Sequence, residues 1–415
     1  MKILYFKSYF YPEDVASAYL GLNELEAYVN SGMDVVLYTP TPTRGISDED
    51  RRIYSTVKKH ERWHDGHLVI HRFSLYREGR NPLLRALRYI IQEIKLFNRA
   101  VFSKDARECN IIKVSSTPPL QCAMAALVKK VRHIPIVYDL QDIFPDSLAG
   151  TGLAKKNGIL WKIGRAIENF TYRNSDIIIV ISEDFKKNIM AKGVPAEKII
   201  VVYNWVDQNA VIDVPRSENK LFAKYNLDPS KFYVTYNGNI GLTQNMDMLL
   251  EVAKSLEANK DIHFVLVGNG AYLEQVKQIV ADRKISNIHL LPFQPYEDIS
   301  HVFSLGDVSL VISKPGVGAN SVPSKTWSIM SASRPVLANF DENELKTIIE
   351  ENKCGIFTKA GDKAAFMDAI LKLYNDRELC KEYGRNGRQF VMENLTKEVG
   401  TQKYVDVIKS VVSQR

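Results

Sequence analysis

Residues 314–328 read Lys-Pro-Gly-Val-Gly-Ala-Asn-Ser-Val-Pro-Ser-Lys-Thr-Trp-Ser, a run whose types suit the gripping of an anion. An apolar segment, 308–312, ends just before it, and a helix is expected to start near Ser324. The small residues around Gly316 and Gly318 let backbone N–H groups approach a ligand, and Pro323 stops further strand pairing. A helix start offers unpaired donors and the positive end of the dipole. Lys325 in that first turn works against helix stability, and a residue that breaks a local rule at a pocket mouth is a functional candidate. Two readings stand for it: Lys325 pairs with a phosphate, or its ammonium merely reaches solvent along an apolar stem. Asn320, Ser321, Ser324 and Ser328 add neutral hydrogen-bonding groups suited to hydroxyls.

Two more turns have a related form. Residues 234–245 run Val-Thr-Tyr-Asn-Gly-Asn-Ile-Gly-Leu-Thr-Gln-Asn, a strand entering a glycine turn before a helix that starts at Met246. Residues 265–270, Val-Leu-Val-Gly-Asn-Gly, repeat the device. Gly268-Asn269-Gly270 lacks the third glycine of a dinucleotide fingerprint, and residues 9–19 contain no glycine, so a dehydrogenase loses its main support. In the first half, Asp142 follows an apolar run at 134–138, where an α/β protein presents a general base. Asp139 and Asp142 read equally as a helix cap and a turn residue. Glu13 and Ser17 lie near the first strand–helix turn and are candidates for the same side.

Other polar clusters carry less. His60, His64, His67 and His71 could line one helix as metal ligands, but Asp65-Gly66 breaks any such helix and signals a β-hairpin. Asp48-Glu49-Asp50 is expected as a solvated charge cluster in a polar loop, with no apolar strand to deliver it to a metal. No metal site is expected.

The elements that must position these residues follow from the wider pattern. At 415 residues, two domains are the default. Short apolar runs alternate with amphipathic helical patterns from end to end, which predicts α/β construction with parallel sheets. Strands are expected at 2–6, 34–38, 111–114, 134–138, 177–181 and 199–203, then at 233–236, 263–267, 288–290, 308–312 and 335–338. Helices fit between them, among them 19–31, 246–258 and 272–283. The polar stretch 207–217 predicts a joint between two doubly wound domains. The charge surplus, 55 Lys+Arg against 48 Asp+Glu, is too diffuse for a dedicated nucleic-acid binder. Four widely separated cysteines fit a reducing cytoplasm, and neither a signal peptide nor a transmembrane span is apparent.

One predicted helix, near 82–102, is basic. Between Arg77 and Arg107 lie eight Lys or Arg and three Asp or Glu, a surplus of five that is most of the chain's net charge of +7. Leu83, Leu84, Leu87, Ile90, Ile91, Ile94, Phe97 and Val101 form one apolar stripe, expected to face the core. Arg88, Lys95 and Arg99 gather on its flank. That flank reads either as a solvated back or as a contact for an anionic membrane surface.

Taken together the motifs resemble retaining glycosyltransferase family four, with the GT-B fold, and its bacterial capsule, exopolysaccharide and O-antigen branch. The resemblance rests on Phe10-Tyr-Pro-Glu13, Asp139-Leu-Gln-Asp142-Ile-Phe-Pro-Asp146, Ser182-Glu183, Tyr203-Asn204 and Asp207. It continues through Gly238-Asn-Ile-Gly241, Gly268-Asn-Gly270 and Val322-Pro-Ser-Lys325 to Arg334-Pro-Val336. It implies two Rossmann-like domains facing across a cleft. The acceptor-side domain would span 1–206 and the donor domain 207–390, with a helical segment at 391–415 returning toward the first.

The resemblance further implies transfer of a sugar, a hexosamine or derivative, from a UDP-linked donor to a lipid-linked or saccharide acceptor. Configuration would be retained, with no obligatory metal or cofactor. The donor-binding residues would be Asn239, Gly241, Gln244, Gly268, Asn269, Phe293, Lys314, Gly318, Asn320, Ser321, Ser324, Lys325 and Ser328. Glu13, Ser17 and Thr117 would face the acceptor, with Asp142 as the catalytic carboxylate. The protein would work in the cytoplasm on the inner face of the plasma membrane. The chain departs from the family pattern in charge. The paired glutamates fall at Asn320 and Ser328, and the Arg and Lys of the glycine turn fall at Asn239 and Gln244. Losing two anions together with two cations leaves Lys325, with Lys314, to meet the diphosphate charge. A sugar-nucleotide epimerase and a non-catalytic partner of the same fold are the alternatives.

Overall fold

The computed structural model describes residues 1–13, 18–79, 81–146, 158–318 and 322–414. The chain forms two units, one of residues 1–203 with 400–415 and one of residues 204–399.

The first unit is built on an eight-stranded sheet. Its strands are β1 (Lys2–Phe6), β2 (Asp34–Pro40), β3 (His60–Trp63), β4 (Leu68–Phe73), β5 (Ile111–Ser115), β6 (Ile136–Leu140), β7 (Ile177–Val180) and β8 (Ile199–Val201). They lie in the order β3-β4-β2-β1-β5-β6-β7-β8, parallel except for β3 against β4. The inner strands are apolar on both faces because helices cover both, so they read as unbroken apolar runs. Helices used below are α1 (Ala18–Asn30), α2 (Pro82–Phe102), α3 (Leu120–Arg132) and α4 (Ile159–Asn174).

The second unit has six parallel strands: β9 (Phe232–Asn237), β10 (Ile262–Val267), β11 (Ile288–Leu291), β12 (Val308–Ile312), β13 (Val336–Phe340) and β14 (Gly355–Lys359). Their order is β11-β10-β9-β12-β13-β14. Its helices include α5 (Met246–Ser255) and α6 (Lys325–Ser331). The helix α7 (Lys397–Ser413) carries the chain from the second unit into the first.

Several expectations change. The apolar run at 134–138 becomes a strand at Ile136–Leu140, because Pro135 has no N–H to donate and His133 turns left-handed with φ 56°. That shift draws Asp139 into the strand and buries it. The edge strand β14 goes unpredicted, since Gly-Ile-Phe-Thr-Lys carries too little apolar signal. Its Gly355 is required, as a Cβ there would lie 1.9 Å from the Val336 carbonyl oxygen. Asp48-Glu49-Asp50 opens a helix, Asp48–Ser55, rather than lying in a loop, because the Ser47 side chain accepts from the Asp50 N–H as an N-cap. The four histidines do flank a hairpin, with Asp65 and Gly66 at positive φ in its turn.

The expected joint at 207–217 is docked on the second unit. Ile212 N–H donates to Ser300 Oγ, Val214 N–H to Ser304 Oγ, and Ser331 Oγ to the Val211 carbonyl. The helix Arg377–Asn394 also stays with the second unit, and the chain changes units at 399/400 rather than near 391. The glycines of that helix permit a close approach: a Cβ on Gly384 would sit 2.2 Å from the Ser333 carbonyl oxygen.

The largest reversal concerns α2. Much of its apolar stripe faces outward: Leu83 is 80% and Ile94 57% exposed, and Leu84, Leu87 and Ile90 are exposed as well, while Ile91, Phe97 and Val101 are half-buried. Its buried face holds Arg88, Gln92, Glu93, Leu96 and Ala100. The expected basic flank is spent on the protein. Arg88 Nε donates to the Tyr76 carbonyl (3.0 Å), Lys95 Nζ to the Ser74 carbonyl (2.7 Å), and Arg99 sits over the Phe73 ring. Periodicity reveals the width of an apolar stripe but not what covers it. Here the segment after β4 needs donors for its carbonyls, and the helix supplies them.

Candidate functional site

The second sheet reverses its strand order between β9 and β12, the place where open α/β sheets bind ligands at the carboxyl ends of their strands. A cavity of about 230 Å³ lies there. The loop after β9 contributes Thr243 and Gln244, the segment after β12 contributes Ser313, Val317, Gly318, Pro323 and Lys325, and β13 contributes Phe340.

Lys325 is the cation of this cavity. Its Nζ donates to Tyr236 Oη at 2.8 Å and stands 4.0 Å from the ring centroid, while Tyr236 Oη donates to the Asn239 carbonyl at 2.7 Å. A Cβ on Gly238 would meet Nζ at 3.4 Å, so the ammonium rests against that glycine. Desolvation pulls the Lys325 pKa down to about 7, and among the described residues no carboxylate contributes to the shift. Burial likewise raises the pKa of Tyr236. The helix that Lys325 begins is only seven residues long, and Ser324 makes no side-chain cap. The dipole expected there is correspondingly small, and the countercharge resides in the lysine itself.

Gly316 and Gly318, ahead of it, are fastened to the protein. Gly316 and Gly318 N–H donate to Asp341 Oδ1 (2.9 Å) and Oδ2 (2.7 Å), and Asn343 Nδ2 donates to the Gly318 carbonyl. A Cβ on Gly318 would strike the Phe340 ring at 2.4 Å. These N–H groups therefore serve Asp341, which corrects the expectation that they serve a ligand. Asp341, an acid directly after a strand, carries no motif that would have singled it out. Ser313 was also missed. Its buried Oγ has no partner among the described residues and belongs to the cavity wall.

The remaining donor-side candidates separate. Gln244 lines the cavity and braces its own turn, accepting from Gly241 N–H at 3.1 Å. Asn239 packs between Gly241 and Gly270, each of whose Cβ positions would lie 2.6 Å from its amide. Gly268 is a packing residue, since a Cβ there would sit 1.9 Å from the Gly238 carbonyl oxygen. Asn269 is exposed and its carbonyl accepts from Ile240 N–H. Lys314 is anchored by its N–H to the Thr243 carbonyl, and its ammonium lies over the Tyr272 ring. Phe293 follows β11 and is 74% exposed, outside the cavity wall. Ser324 is exposed and Ser328 half-buried one turn further along. Asn320 and Ser321 lie outside the described residues.

In the first unit, Asp142 is exposed just beyond β6, and its N–H donates to Ser116 Oγ. Thr117 is exposed after β5, and Ser17 lies outside the described residues. Glu13 does not face a ligand. It is buried, and its carboxylate accepts from the N–H groups of Thr43 (2.7 Å), Arg44 (3.1 Å) and Phe10 (3.1 Å), bracing two loops. Asp139 takes part in a buried charge cluster with Lys113 (3.2 Å), whose ammonium also pairs with Glu24 (2.7 Å). Lys7, at the end of β1, was not expected. Burial draws its pKa down, and Gly21 leaves it room, as a Cβ there would lie 2.1 Å from its Nζ.

Comparison with known proteins matches this architecture. The model for Glycosyltransferase Family 4 covers residues 22–210, and that for Glycosyl transferases group 1 covers residues 217–390. The probable glycosyltransferase WbjE of Pseudomonas aeruginosa is 25% identical over 348 residues, 82% of this chain and 84% of that protein. The putative colanic acid biosynthesis glycosyl transferase WcaI of Escherichia coli K12 is 29% identical over 226 residues, 52% of this chain and 54% of its own length. Among solved structures, Anabaena Alr3699/HepE in complex with UDP is similar with a TM-score of 0.73 at 17% identity, over 99% of this chain and 100% of that one. That likeness shows the fold, two α/β domains of the GT-B class.

Proposed function

The chain belongs to the glycosyltransferases in which a family 4 domain precedes a group 1 domain, acting on nucleotide sugars in polysaccharide synthesis, and from this premise we propose its donor, acceptor and chemistry. It moves a hexosamine from a UDP-linked donor to a lipid-linked or saccharide acceptor, with retention of configuration.

The observation that carries the proposal is Lys325, an ammonium withdrawn from water beside a cavity of about 230 Å³, with a tyrosine hydroxyl as its hydrogen-bond partner. A half-buried cation with no carboxylate partner among the described residues gains most when an anion arrives. In glycosyl transfer the bond from sugar C1 to the diphosphate oxygen breaks, and its electron pair leaves with the diphosphate. A bond forms from C1 to the acceptor oxygen, whose proton goes to a base. Lys325 meets the charge that develops on the leaving group, which makes a metal dispensable in this proposal. Gln244 and Ser313 are placed to bond donor oxygens. Asp142 is the proposed base of the first unit. UDP is favoured by the HepE complex, hexosamine by family resemblance alone, and action at the cytoplasmic face of the plasma membrane by the lipid-linked acceptor.

Titration calorimetry with UDP, GDP and uridine tests the donor side. Wild type is expected to bind UDP, and Lys325→Ala to lose about 10- to 100-fold in UDP affinity while uridine binding stays unchanged. Equal UDP affinity in the two proteins would remove Lys325 from the site. Incubation with UDP-hexosamine in chelator, with and without acceptor, tests the chemistry. An epimer formed without acceptor would replace the transferase reading, and no nucleotide binding at all would favour a non-catalytic partner.

A further inference from the structure

The hairpin of β3 and β4 brings two histidines face to face. His60 and His71 are directly opposed cross-strand partners, and their Nδ1 atoms stand 2.8 Å apart. The other ring nitrogen of His71, Nε2, lies 2.7 Å from Oδ2 of Asp105, on the helical turn Lys104–Arg107. The Tyr38 ring stacks on His71 with centroids 5.1 Å apart and holds its plane. The same Asp65-Gly66 turn that rules out a helical row of ligands therefore creates this pair.

The hydrogen bonds place the protons. A carboxylate only accepts, so with both rings neutral His71 carries its proton on Nε2 and turns the Nδ1 lone pair toward His60. His60 then supplies the proton between the two Nδ1 atoms. An imidazole held through its second nitrogen by a carboxylate, with the first nitrogen presented, is the arrangement that metal-binding histidines adopt. A metal ion can replace the shared proton, which moves to Nε2 of the exposed His60 ring, so no net proton is released.

Spacing and charge restrict the ion. Imidazole suits Cu²⁺, Zn²⁺ and Ni²⁺, whereas Mg²⁺ and Ca²⁺ require oxygen ligands. Adjacent positions of a square-planar ion hold two nitrogens about 2.9 Å apart, and a tetrahedral ion about 3.3 Å. The observed separation thus suits Cu²⁺ with little more than a rotation of the His60 ring, while Zn²⁺ needs β3, an edge strand, to give by about half an ångström. Asp105 offsets part of the charge of the ion. Arg99 opposes it, but its guanidinium is turned over the Phe73 ring. The pair His263 and His289 differs. Its nitrogens are 3.1 Å apart, but both rings are half-buried against Tyr233, and the outer partner is the neutral Lys260 carbonyl.

We propose that His60 and His71 bind one divalent transition-metal ion, Cu²⁺ more tightly than Zn²⁺, with Asp105 orienting His71. The ion staples the edge strand β3 to β4, and water fills its remaining positions beside the exposed His60. The site belongs to the first unit and stands whether or not the donor proposal holds.

Calorimetry and Cu²⁺ electron paramagnetic resonance test it on the full chain, freed of metal by a chelator and desalted. Wild type is expected to bind one ion per chain, Cu²⁺ ahead of Zn²⁺, and no Mg²⁺. The resonance spectrum should show two coordinating nitrogens. His60→Ala should lose at least about tenfold in affinity for both ions and leave at most one nitrogen. Asp105→Asn should lose about 10- to 100-fold and keep two nitrogens, the mark of an orienting residue. His289→Ala should match wild type. Because His60 is exposed, His60→Ala is expected to unfold at the wild-type temperature in chelator, and Cu²⁺ should raise that temperature for wild type alone. Binding of neither ion at millimolar concentration would overturn the proposal. So would His60→Ala that binds as tightly as wild type, which means an adventitious ion only, or loss of binding in His289→Ala instead.

Discussion

At the scale of single residues, two desolvated ionisable groups act in opposite directions on the dependence of the protein on pH. Lys325 has a folded-state pKa of about 7 against an ordinary value of 10.5. Below pH 7 it is charged in both states, and the full desolvation penalty applies. Between about 7 and 10.5 the folded state has shed a proton that the unfolded state keeps, so this group's contribution to stability rises with pH across that window. A bound diphosphate would restore a partner and raise the pKa again. UDP binding at pH 8 is therefore expected to take up close to one proton, read from calorimetry in two buffers of different ionisation heat. Lys325→Arg, charged at every accessible pH, should bind UDP without proton uptake. Glu93 has the reverse sign. Its pKa of about 8 lies above that of an unfolded glutamate, so the folded state holds a proton that the unfolded state releases between about pH 4.3 and 8. Stability from this group falls as pH rises through that window. Glu93→Gln is expected to match wild type in urea unfolding at pH 4 and to exceed it by about 2 kcal/mol at pH 9.

At the scale of elements, the second unit depends on how closely two turns approach. Gly268 has φ +156°, and a Cβ there would overlap the Gly238 carbonyl oxygen. Gly316 has φ +81° but open space around its Cβ position. Gly268→Ala is thus expected to destabilise the unit by about 3 kcal/mol and Gly316→Ala by about 1 kcal/mol, both measured by denaturant unfolding. The same contrast separates the elements that are legible in the sequence from those that are not. Strands buried on both faces, such as β1, β9 and β12, announce themselves as apolar runs, and Lys325 announces itself by breaking a helix-terminal rule. Elements defined by their partners give no such signal. β14 exists because Gly355 lets it press against β13, and Asp341 matters because two glycine N–H groups lie within its reach. The apolar stripe of α2 is plain in the sequence, but its outward direction is set by carbonyls after β4 that need its arginine and lysine.

At the scale of the whole molecule, the first unit is completed by the last residues of the chain. Tyr404 on α7 is buried and donates to Asp139 Oδ1 at 3.0 Å, while its ring stands 4.7 Å from the Lys113 ammonium. Lys113 pairs in turn with Glu24, which accepts from Tyr5 Oη (2.8 Å) and Tyr28 Oη (2.6 Å). One helix therefore closes a buried cluster of two carboxylates, a lysine and three tyrosines that links β1, α1, β5 and β6. Such a cluster is stable only while every member is satisfied, because an uncompensated buried charge is destabilising by several kcal/mol. Val405, Ile408 and Val411 bury apolar surface on the same helix. A chain ending at Val399 would lose that packing and a donor to Asp139 together, yet the second unit would keep β9, β12 and its cavity. Hydrogen exchange followed segment by segment should show protection falling by orders of magnitude in β1, β5 and β6 and unchanged in β9 and β12. Tyr404→Phe separates the two contributions: it retains the packing and removes only the hydroxyl, with an expected loss of about 1–3 kcal/mol confined to the first unit. Equal loss of protection in both units after truncation would show instead that the chain unfolds as one cooperative body, with α7 stabilising the whole of it.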